Sequence, residues 1–324
     1  MKTTRFFFFL FAIIPLLGIL NSCNGDGEVD VSENAIKMQE FIEGISKYAK
    51  VEKGKPGFII IPQNGSELAF WETDLHEGIM PSYINAIDGL GIEELFYNDK
   101  GNYKPDRERL DLLDAIKLNY PEKTIMVADY VKDENGRLDS IAKNSARGFI
   151  SFPRARNNYD YIYIPAETPT DVNSDNISAL SDARNYLYLI STDNFTSRTD
   201  MITKIKATNY DVVLIDLFFD EHAFTPPEID ELKTKADGGS RLVIAYVSIG
   251  SAENYRYYWQ TGWKRGNPSW LKKNYEGYPD EFWVEYWDPA WQDIIYDYID
   301  KIIAAGFDGA YLDNVEAYYF LENN

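Results

Sequence analysis

Short runs of apolar, β-branched residues alternate along the chain with stretches in which apolar residues recur every three to four positions. The first pattern predicts buried strands and the second predicts amphipathic helices, so the alternation indicates repeated βα units. Eight strands are predicted, at Phe58–Ile61, Glu94–Tyr97, Ile125–Asp129, Phe149–Phe152, Tyr186–Ile190, Val212–Asp216, Leu242–Ile249 and Gly309–Asp313. Helices are predicted at Ala35–Lys50, Asp106–Leu118, Arg137–Ala146, Arg198–Thr208, Pro227–Ala236 and Pro289–Ala305, with a short one near Tyr83–Ile87.

Eight strands favour a (β/α)8 TIM barrel, which typically needs about 250 residues. The chain has 324 residues, enough for one such barrel. An open, doubly wound α/β sheet is the alternative, but the sequence has no G-x-G-x-x-G, P-loop or G-x-S-x-G motif to support it. The polar segment Pro165–Asp182 has four predicted strands on each side. We therefore predict a single domain over residues 35–324, in which two half-barrels close on each other across this linker.

The N-terminus has the pattern of an export signal. Lys2 and Arg5 form a short basic region before the apolar run Phe6–Leu20, which is too short for an ordinary membrane span. The run leads into Leu-Asn-Ser-Cys, similar to the lipobox of bacterial lipoproteins, and Cys23 is the only cysteine. We predict a signal peptide at residues 1–22, lipidation of Cys23, an acidic tether at residues 23–34 and a lipid-anchored place in the bacterial cell envelope. A plain secretory signal with an incidental cysteine is the alternative.

Composition narrows the classes of function. Asp and Glu number 52 against 32 Lys and Arg, a formal net charge of −20, which argues against nucleic acid because phosphate binding needs a basic surface. His76 and His222 are the only histidines, and this disfavours histidine-dependent nucleophile triads and histidine-rich zinc sites. Aromatic residues make up 15% of the chain, which suits sugar binding. The sequence predicts no cofactor and no metal.

Polar side chains stand at the ends of several predicted strands. They are Gln63, Asn64, Asp129, Asp216, Glu253 and Asp313. In a barrel these strand ends share one face, where two carboxylates that flank a bond can supply the acid and the nucleophile or base of glycoside hydrolysis. The alternative is that each residue only caps the helix that follows it.

The segment Asn254–Trp287 contains five of the seven tryptophans, several Gly and Pro residues and no clear helical pattern. Long loops without secondary structure in compact domains are usually functional, so we predict a loop whose rings stack on sugars. The alternative is that the loop packs a small aromatic core of its own.

Three motifs carry a resemblance to a known family. They are V-I-A-Y-V-S-I-G-S-A-E-N-Y-R-Y-Y-W, E-Y-W-D-P-A-W and G-F-D-G-A-Y-L-D-N-V-E-A-Y. In this order, over Tyr186–Tyr319, the chain resembles glycoside hydrolase family 114. The resemblance implies a TIM barrel and an endo-α-1,4-polygalactosaminidase activity, the hydrolysis of α-1,4-linked galactosamine polymers. It places Asp216, Glu253, Arg256, Asp288 and Asp313 on motif positions of the family.

On this basis we predict the catalytic residues Asp216, Glu253 and Asp313. Asp216 is expected to be the nucleophile or base and Glu253 the acid, while Asp313 and Arg256 position the sugar. The predicted substrate-binding residues are Arg256, Tyr255, Asp288, Glu285, Trp287, Gln63, Asn64 and Asp129. The expected partner is an amino-sugar polysaccharide, which an acidic cleft would attract. A sugar-binding lipoprotein without turnover and a metal-dependent hydrolase are the alternatives.

The first half of the chain resembles the same family in a displaced position. F-I-I-I-P-Q-N-G-S-E-L, G-I-E-E-L-F-Y and V-A-D-Y-V resemble segments that normally follow Y-L-D-N-V-E-A-Y, but here they precede it. The chain therefore resembles a circular permutant in which Pro165–Asp182 joins the usual termini. We predict that Asp313 and Gln63 lie at the same ends of adjacent strands. Two separate domains are the alternative.

Overall fold

A computed structural model of the chain describes residues 31–154 and 161–321. The predicted signal peptide and Cys23 lie outside these residues. The described part contains no helix that is both long and apolar enough to cross a membrane. Its first helix begins at Val31, so the end of the predicted tether, residues 31–34, is helical.

The described residues form thirteen strands. They are β1 (Ile59–Pro62), β2 (Gly89–Glu93), β3 (Thr124–Ala128), β4 (Ile150–Ser151), β5 (Tyr186–Leu189), β6 (Val212–Asp216), β7 (Phe218–Phe219), β8 (His222–Ala223), β9 (Leu242–Ser248), β10 (Ser251–Glu253), β11 (Leu271–Tyr275), β12 (Tyr278–Val284) and β13 (Gly309–Asp313). Eight of them are parallel core strands, in a sheet of order β5-β6-β9-β13-β1 and a sheet of order β2-β3-β4. The predicted α/β class with parallel strands is confirmed.

Helices lie between most of these strands. They are α1 (Val31–Lys47, continued by a π-turn at Tyr48–Glu52), α2 (Pro81–Ala86), α3 (Arg107–Asn119), α4 (Glu134–Ser145), α5 (Arg198–Lys206), α6 (Pro226–Leu232), α7 (Pro289–Ala305) and α8 (Ala317–Phe320). Their ends follow from the sequence. Asp106, Asp133 and Ser197 accept hydrogen bonds from backbone N–H groups in the first turns of α3, α4 and α5. Gly306 ends α7 in a left-handed conformation with φ 89°.

The two parallel sheets meet between β1 and β2. Gln63 forms a parallel bridge to Gly91, and the Asp88 N–H donates to the Ile60 carbonyl at 2.9 Å. The core strands thus follow one another in the order β5-β6-β9-β13-β1-β2-β3-β4. On the other side of β1, the Gln63 N–H donates to the Leu312 carbonyl at 2.8 Å. The prediction that Asp313 and Gln63 lie at the same ends of adjacent strands is confirmed.

The second core strand lies at Gly89–Glu93 and not at the predicted Glu94–Tyr97. Glycines weaken a strand pattern, and the sequence G-L-G-I-E therefore does not predict a strand. The glycine is required by space, because a Cβ atom on Gly91 would lie 1.9 Å from the Tyr311 hydroxyl of β13. Glu94 leaves the strand with φ 57°. The shift makes Glu93 a strand-end carboxylate.

Residues 254–287 were predicted to form a loop without secondary structure, and this is wrong. They contribute to an antiparallel sheet of order β10-β12-β11. Trp270 and Trp283 are buried, and Trp259 stacks on Phe282 at 5.3 Å. The tryptophans mainly fill a local aromatic core, as the alternative interpretation proposed.

The linker Pro165–Asp182 forms hydrogen bonds with the second half of the fold. Asn173 bonds the Asp211 carboxylate through its amide nitrogen at 3.0 Å and accepts from the Lys235 ammonium at 3.1 Å. Lys235 and Asp211 form a fully buried ion pair at 3.0 Å. Such a pair needs additional hydrogen bonds to offset its desolvation, and Asn173 supplies them.

Candidate active site

Asp313 ends β13, half-buried at the carboxyl ends of the core strands. The Tyr246 hydroxyl donates to Oδ2, and the Asn314 N–H donates to Oδ1 at 2.7 Å. Burial raises the pKa of Asp313 to about 6, although both hydrogen bonds oppose the rise. Asp313 is therefore mostly ionised at neutral pH, and its negative charge lies in surroundings from which much of the water is excluded.

Glu93 ends β2, on the other side of β1 from Asp313. The hydroxyls of Tyr130, at 3.2 Å, and Tyr161 donate to its Oε1. The pKa of Glu93 is raised to about 8. Burial is the largest cause, the Tyr161 bond opposes the rise, and the Asp313 charge adds to it. Glu93 is therefore mostly protonated at neutral pH. Sequence analysis missed this residue because the strand was placed five residues too late.

Glu281 reaches the same region from β12. Its register partner across the antiparallel pair is Glu253, so two acidic side chains stand directly opposite each other. The nearest hydrogen-bond donor is the Ser251 hydroxyl, at 3.4 Å from Glu281 Oε2. Burial, followed by the charges of Glu253 and Asp313, raises the pKa of Glu281 well above its ordinary value. This residue was also missed, because its segment was predicted to be a loop.

Arg256 joins the two residues predicted as nucleophile and acid. Its Nη1 lies 2.7 Å from Asp216 Oδ2, and its Nε lies 2.5 Å from Glu253 Oε2. Asp216 is 8% exposed and Glu253 3% exposed. The Tyr255 hydroxyl also donates to Glu253 Oε1. The predicted cluster of Asp216, Glu253, Arg256 and Tyr255 thus exists as an ion-paired group.

The geometry agrees with the role predicted for Asp216, because a nucleophile or base must be ionised, but it does not favour the role predicted for Glu253. A general acid must carry a proton that it can release, whereas both oxygens of Glu253 accept hydrogen bonds from Arg256. Burial raises the pKa of Asp216, but the Arg256 charge opposes this rise. Arg256 joins both carboxylates through charge-assisted hydrogen bonds. The assignment of Glu253 as the acid stays a prediction, and the bonds from Arg256 favour a supporting role for this group.

Gln63 and Asn64 lie beside Glu93, as predicted for strand ends. Gln63 is buried and accepts a hydrogen bond from the Tyr188 hydroxyl at 3.1 Å. The Asn64 side chain accepts from the Glu93 N–H and donates to Glu316 Oε2, both at 3.1 Å. Burial and the Glu67 charge raise the pKa of Glu316 to about 7.

Four residues that were predicted to bind substrate have partners within the fold, and their role in binding stays a prediction. Asp129 is fully buried, with hydrogen bonds from the backbone of Phe96 and Tyr97 and from Ser140 and Asn144. Asp288 caps α7 through the Ala290 N–H at 2.8 Å. Glu285 pairs with Lys272 at 2.7 Å, and the Trp287 ring lies 4.5 Å beneath the Lys37 ammonium. Their polar groups are used within the fold.

The carboxylates do not form a metal site in this geometry. Within residues 31–154 and 161–321, no group of three or more His, Cys, Asp or Glu side chains is placed to hold a metal ion. The arrangement instead pairs a protonated carboxyl group with an ionised one. That is the set of groups that acid–base or nucleophilic cleavage of a glycosidic bond requires.

Comparison with known proteins gives relatives that match part of the chain. An uncharacterized protein of Deinococcus radiodurans is 43% identical over 122 residues, 38% of each chain. An uncharacterized protein of Methanocaldococcus jannaschii is 36% identical over 155 residues, 47% of this chain and 42% of the relative. A third, from Thermotoga maritima, is 32% identical over 117 residues, 36% of each chain. The chain spans about two fifths of the length of these relatives.

A family comparison also matches part of the chain. The model of glycoside-hydrolase family GH114 matches residues 172–324. The matched segment contains β5 to β13, and with them Asp313, Glu281 and the group around Arg256, while Glu93 lies outside it. Residues 172–324 of this chain therefore match glycoside hydrolase family 114, and the resemblance that the sequence motifs predicted is confirmed over this segment.

Proposed function

We propose that the protein is a glycoside hydrolase in which Glu93 is the general acid and Asp313 the nucleophile or general base. The observation that carries the proposal is a pair of carboxyl groups at the same end of the core, whose surroundings push their pKa values to about 8 and about 6. Two groups separated in this way can be protonated and ionised at the same pH.

In the proposed reaction, Glu93 gives its proton to the glycosidic oxygen as the bond to the anomeric carbon breaks. Asp313 stabilises the positive charge that develops on the sugar, either by attacking the anomeric carbon or by taking a proton from water. Tyr246 and the Asn314 N–H fix the Asp313 oxygens, so that little rearrangement is needed.

The proposed substrate is an α-1,4-linked galactosamine-type polymer. The match of residues 172–324 to the family supports this, together with the acidic character of the site, where Glu281 and Glu316 add to Glu93 and Asp313. Ammonium groups on a partly deacetylated polymer would be attracted to such a cleft, and uronic-acid polymers would be repelled.

We also propose that the eight core strands form a circularly permuted TIM barrel. The parallel strand series supports this, as does the contact between the outermost strands, where the Phe152 and Tyr186 rings lie 5.4 Å apart. In this arrangement residues 31–154 supply the strands that would follow β13 in an unpermuted chain. The proposal explains why the acid, Glu93, lies outside the family segment.

Lipid attachment at Cys23 and a place in the bacterial cell envelope complete the proposal. The L-N-S-C motif after the apolar run supports both. Labelling of growing cells with a fatty acid should mark the wild-type protein and not the Cys23→Ala variant. An unlabelled wild-type protein that is secreted would contradict the lipid anchor.

The purified protein should be incubated with a panel of polysaccharides, and new reducing ends should be measured. We expect hydrolysis of partly deacetylated galactosamine polymers, with no turnover by Asp313→Asn. A matched control, Asp220→Asn, removes an exposed carboxylate and should leave the rate unchanged. Binding of the polymers by wild-type protein without new reducing ends would favour the sugar-binding alternative, for which the ion-paired state of Asp216 and Glu253 is the supporting observation.

A further inference from the structure

The chain between the two halves reaches the carboxyl group proposed as the acid. Tyr161 precedes the linker and lies outside the family segment. Its side chain is buried, and its hydroxyl donates to Glu93 Oε1. The ring stacks on Tyr188 with centroids 3.8 Å apart, and the Arg154 guanidinium lies 3.9 Å from its centroid. These contacts fix the position of the hydroxyl.

The backbone of Tyr161 is strained. Its φ is 42°, in the left-handed region that bulky residues avoid. Such a conformation costs about 1–3 kcal/mol and persists only where the surroundings impose it. A residue whose only task was to fill space would not need this conformation, so the strain points to a requirement for the placement of the hydroxyl.

Two phenols act together on one oxygen of Glu93. The Tyr130 hydroxyl lies 2.7 Å from the Tyr161 hydroxyl and 3.2 Å from Glu93 Oε1. Burial and the Glu93 charge raise the pKa of Tyr161 well above its ordinary value, so the phenol stays protonated and can donate. Both bonds end on Oε1, and no hydrogen bond joins Oε2 to another described residue.

We propose that Tyr161 is a positioning residue for the acid: it holds Oε1 of Glu93 as an acceptor, so that the proton of the carboxyl group is carried by Oε2, from which it is given to the sugar. When that proton moves to the glycosidic oxygen, the electrons left on the carboxylate are stabilised by the bond from Tyr161. The inference rests on the proposed function of Glu93. In this proposal the segment that connects the two halves also contributes a side chain to the site.

Other charged and titratable groups surround Glu93 and contribute to its titration. Glu94 adjoins it on its own strand end. The groups that face it from packed elements are Asp313, Tyr311, Tyr186, Tyr188, Tyr278 and Arg154. Asp313 raises the pKa of Glu93, whereas the phenols that do not bond Glu93 stay neutral through the working range. Removal of the Tyr161 hydroxyl leaves all of these groups in place.

The test is the pH dependence of Tyr161→Phe. Loss of the donor raises the pKa of Glu93, because the Tyr161 bond lowers it in the wild-type protein. The alkaline limb of kcat/KM should move up by about 1 pH unit, and kcat at pH 7 should fall by roughly tenfold because the acid is weaker. KM should stay close to the wild-type value. Tyr103→Phe is the control. The Tyr103 side chain is exposed and contacts Tyr97 and Lys143 through its ring, so loss of its hydroxyl should change neither limb of the pH profile.

A second measurement does not depend on turnover. The Glu93 carboxyl carbon can be titrated by NMR in protein labelled with 13C-glutamate, with Glu93→Gln to assign the signal. We expect a higher midpoint in Tyr161→Phe and a smaller rise in Tyr130→Phe, which serves if the first variant does not fold. An unchanged midpoint and an unchanged alkaline limb would overturn the proposal. If the wild-type protein cleaves no glycan, the proposed function fails, and the titration still decides whether Tyr161 controls Glu93.

Discussion

At the scale of single residues, the site depends on how far the surroundings raise the pKa of each carboxyl group. Asp313 and Glu93 are both half-buried, but Asp313 accepts a backbone N–H and a phenol on separate oxygens, whereas both phenols at Glu93 meet one oxygen. Asp313 also adds its negative charge to the surroundings of Glu93. The result is one ionised and one neutral carboxyl group on strands that flank β1.

This division predicts a bell-shaped pH profile of kcat/KM. The rate should fall as the pH drops below about 6, where Asp313 becomes protonated, and as it rises above about 8, where Glu93 loses its proton. Glu93→Gln should lose the alkaline limb and about 10²–10⁴-fold in rate on a substrate with a poor leaving group. Initial rates between pH 4 and pH 10 would check this. An alkaline limb that persists in Glu93→Gln would assign the acid to another residue.

Sequence analysis found part of the site at this scale. Asp313, Gln63 and Asn64 could be found because each directly follows an apolar run. Glu93 could not, because Gly89 and Gly91 weaken the strand pattern, and the need for Gly91 becomes visible only with Tyr311 of a distant strand beside it. The ion pairs of Arg256 were also hidden, since a sequence does not reveal that this side chain lies between two carboxylates.

At the scale of elements, the antiparallel sheet keeps a repulsive pair. Glu253 on β10 and Glu281 on β12 are register partners, and like charges directly opposite each other destabilise a sheet. Arg256 pairs with Glu253, whereas Glu281 has, within residues 31–154 and 161–321, only the long hydrogen bond from Ser251. The antiparallel sheet is therefore less stable than it would be without this pair, but the pair brings the Glu281 carboxyl group close to Asp313.

The cost should appear as a pH-dependent effect of Glu281→Gln on the melting temperature. The folded-state pKa of Glu281 is raised, so the stability associated with its protonated form is fully present below the unfolded-state pKa and is lost as the pH rises through the folded-state pKa. The variant should melt at least about 3 °C above wild type at pH 8 and should match it near pH 4. Differential scanning calorimetry would measure both, with Glu276→Gln in the exposed hairpin turn as control. Equal melting temperatures at pH 8 would show that Glu281 has no such cost.

At the scale of the whole molecule, the order of the halves along the chain differs from their order in the sheet. The strand β1 follows β13 in space, and helix α1 packs against α8 near the other end of the described chain. The motifs predicted this arrangement because two family-like segments stand in reversed order. The contact between the two ends of the strand series could not be predicted residue by residue, since β4 is short and it is the rings of Phe152 and Tyr186 that meet there.

A rearranged gene tests the permutation. A chain that starts at residue 172, runs to 321, continues through a short Gly-Ser linker into residue 31 and ends at 164 should fold to the same structure, because the ends to be joined lie on packed helices. We expect a far-UV circular dichroism spectrum equal to that of wild type and the same polysaccharide specificity. A matched chain cut inside α7 should not fold. A rearranged chain that is unfolded at 25 °C would contradict the proposed topology.

The charge of the whole protein gives a prediction on ionic strength. With a formal net charge of −20 and acidic groups around the site, attraction of a cationic amino-sugar polymer acts over distances that salt screens within about 8 Å at physiological ionic strength. The value of kcat/KM on such a polymer should fall several-fold between low salt and 0.5 M salt, while that on its fully acetylated form should not. Equal rates on a polyuronate, or equal salt dependence on both polymers, would contradict the proposed substrate.

The contact between Gly91 and Tyr311 has a consequence for the evolution of this chain. One position lies in the first half and the other in the family segment, and the ring occupies the volume that any side chain at position 91 would need. A substitution at one position is acceptable only with a compensating loss of volume at the other, so the two sites should covary. Halves taken from two divergent homologues would therefore recombine into a working chimaera only when this pair is inherited together.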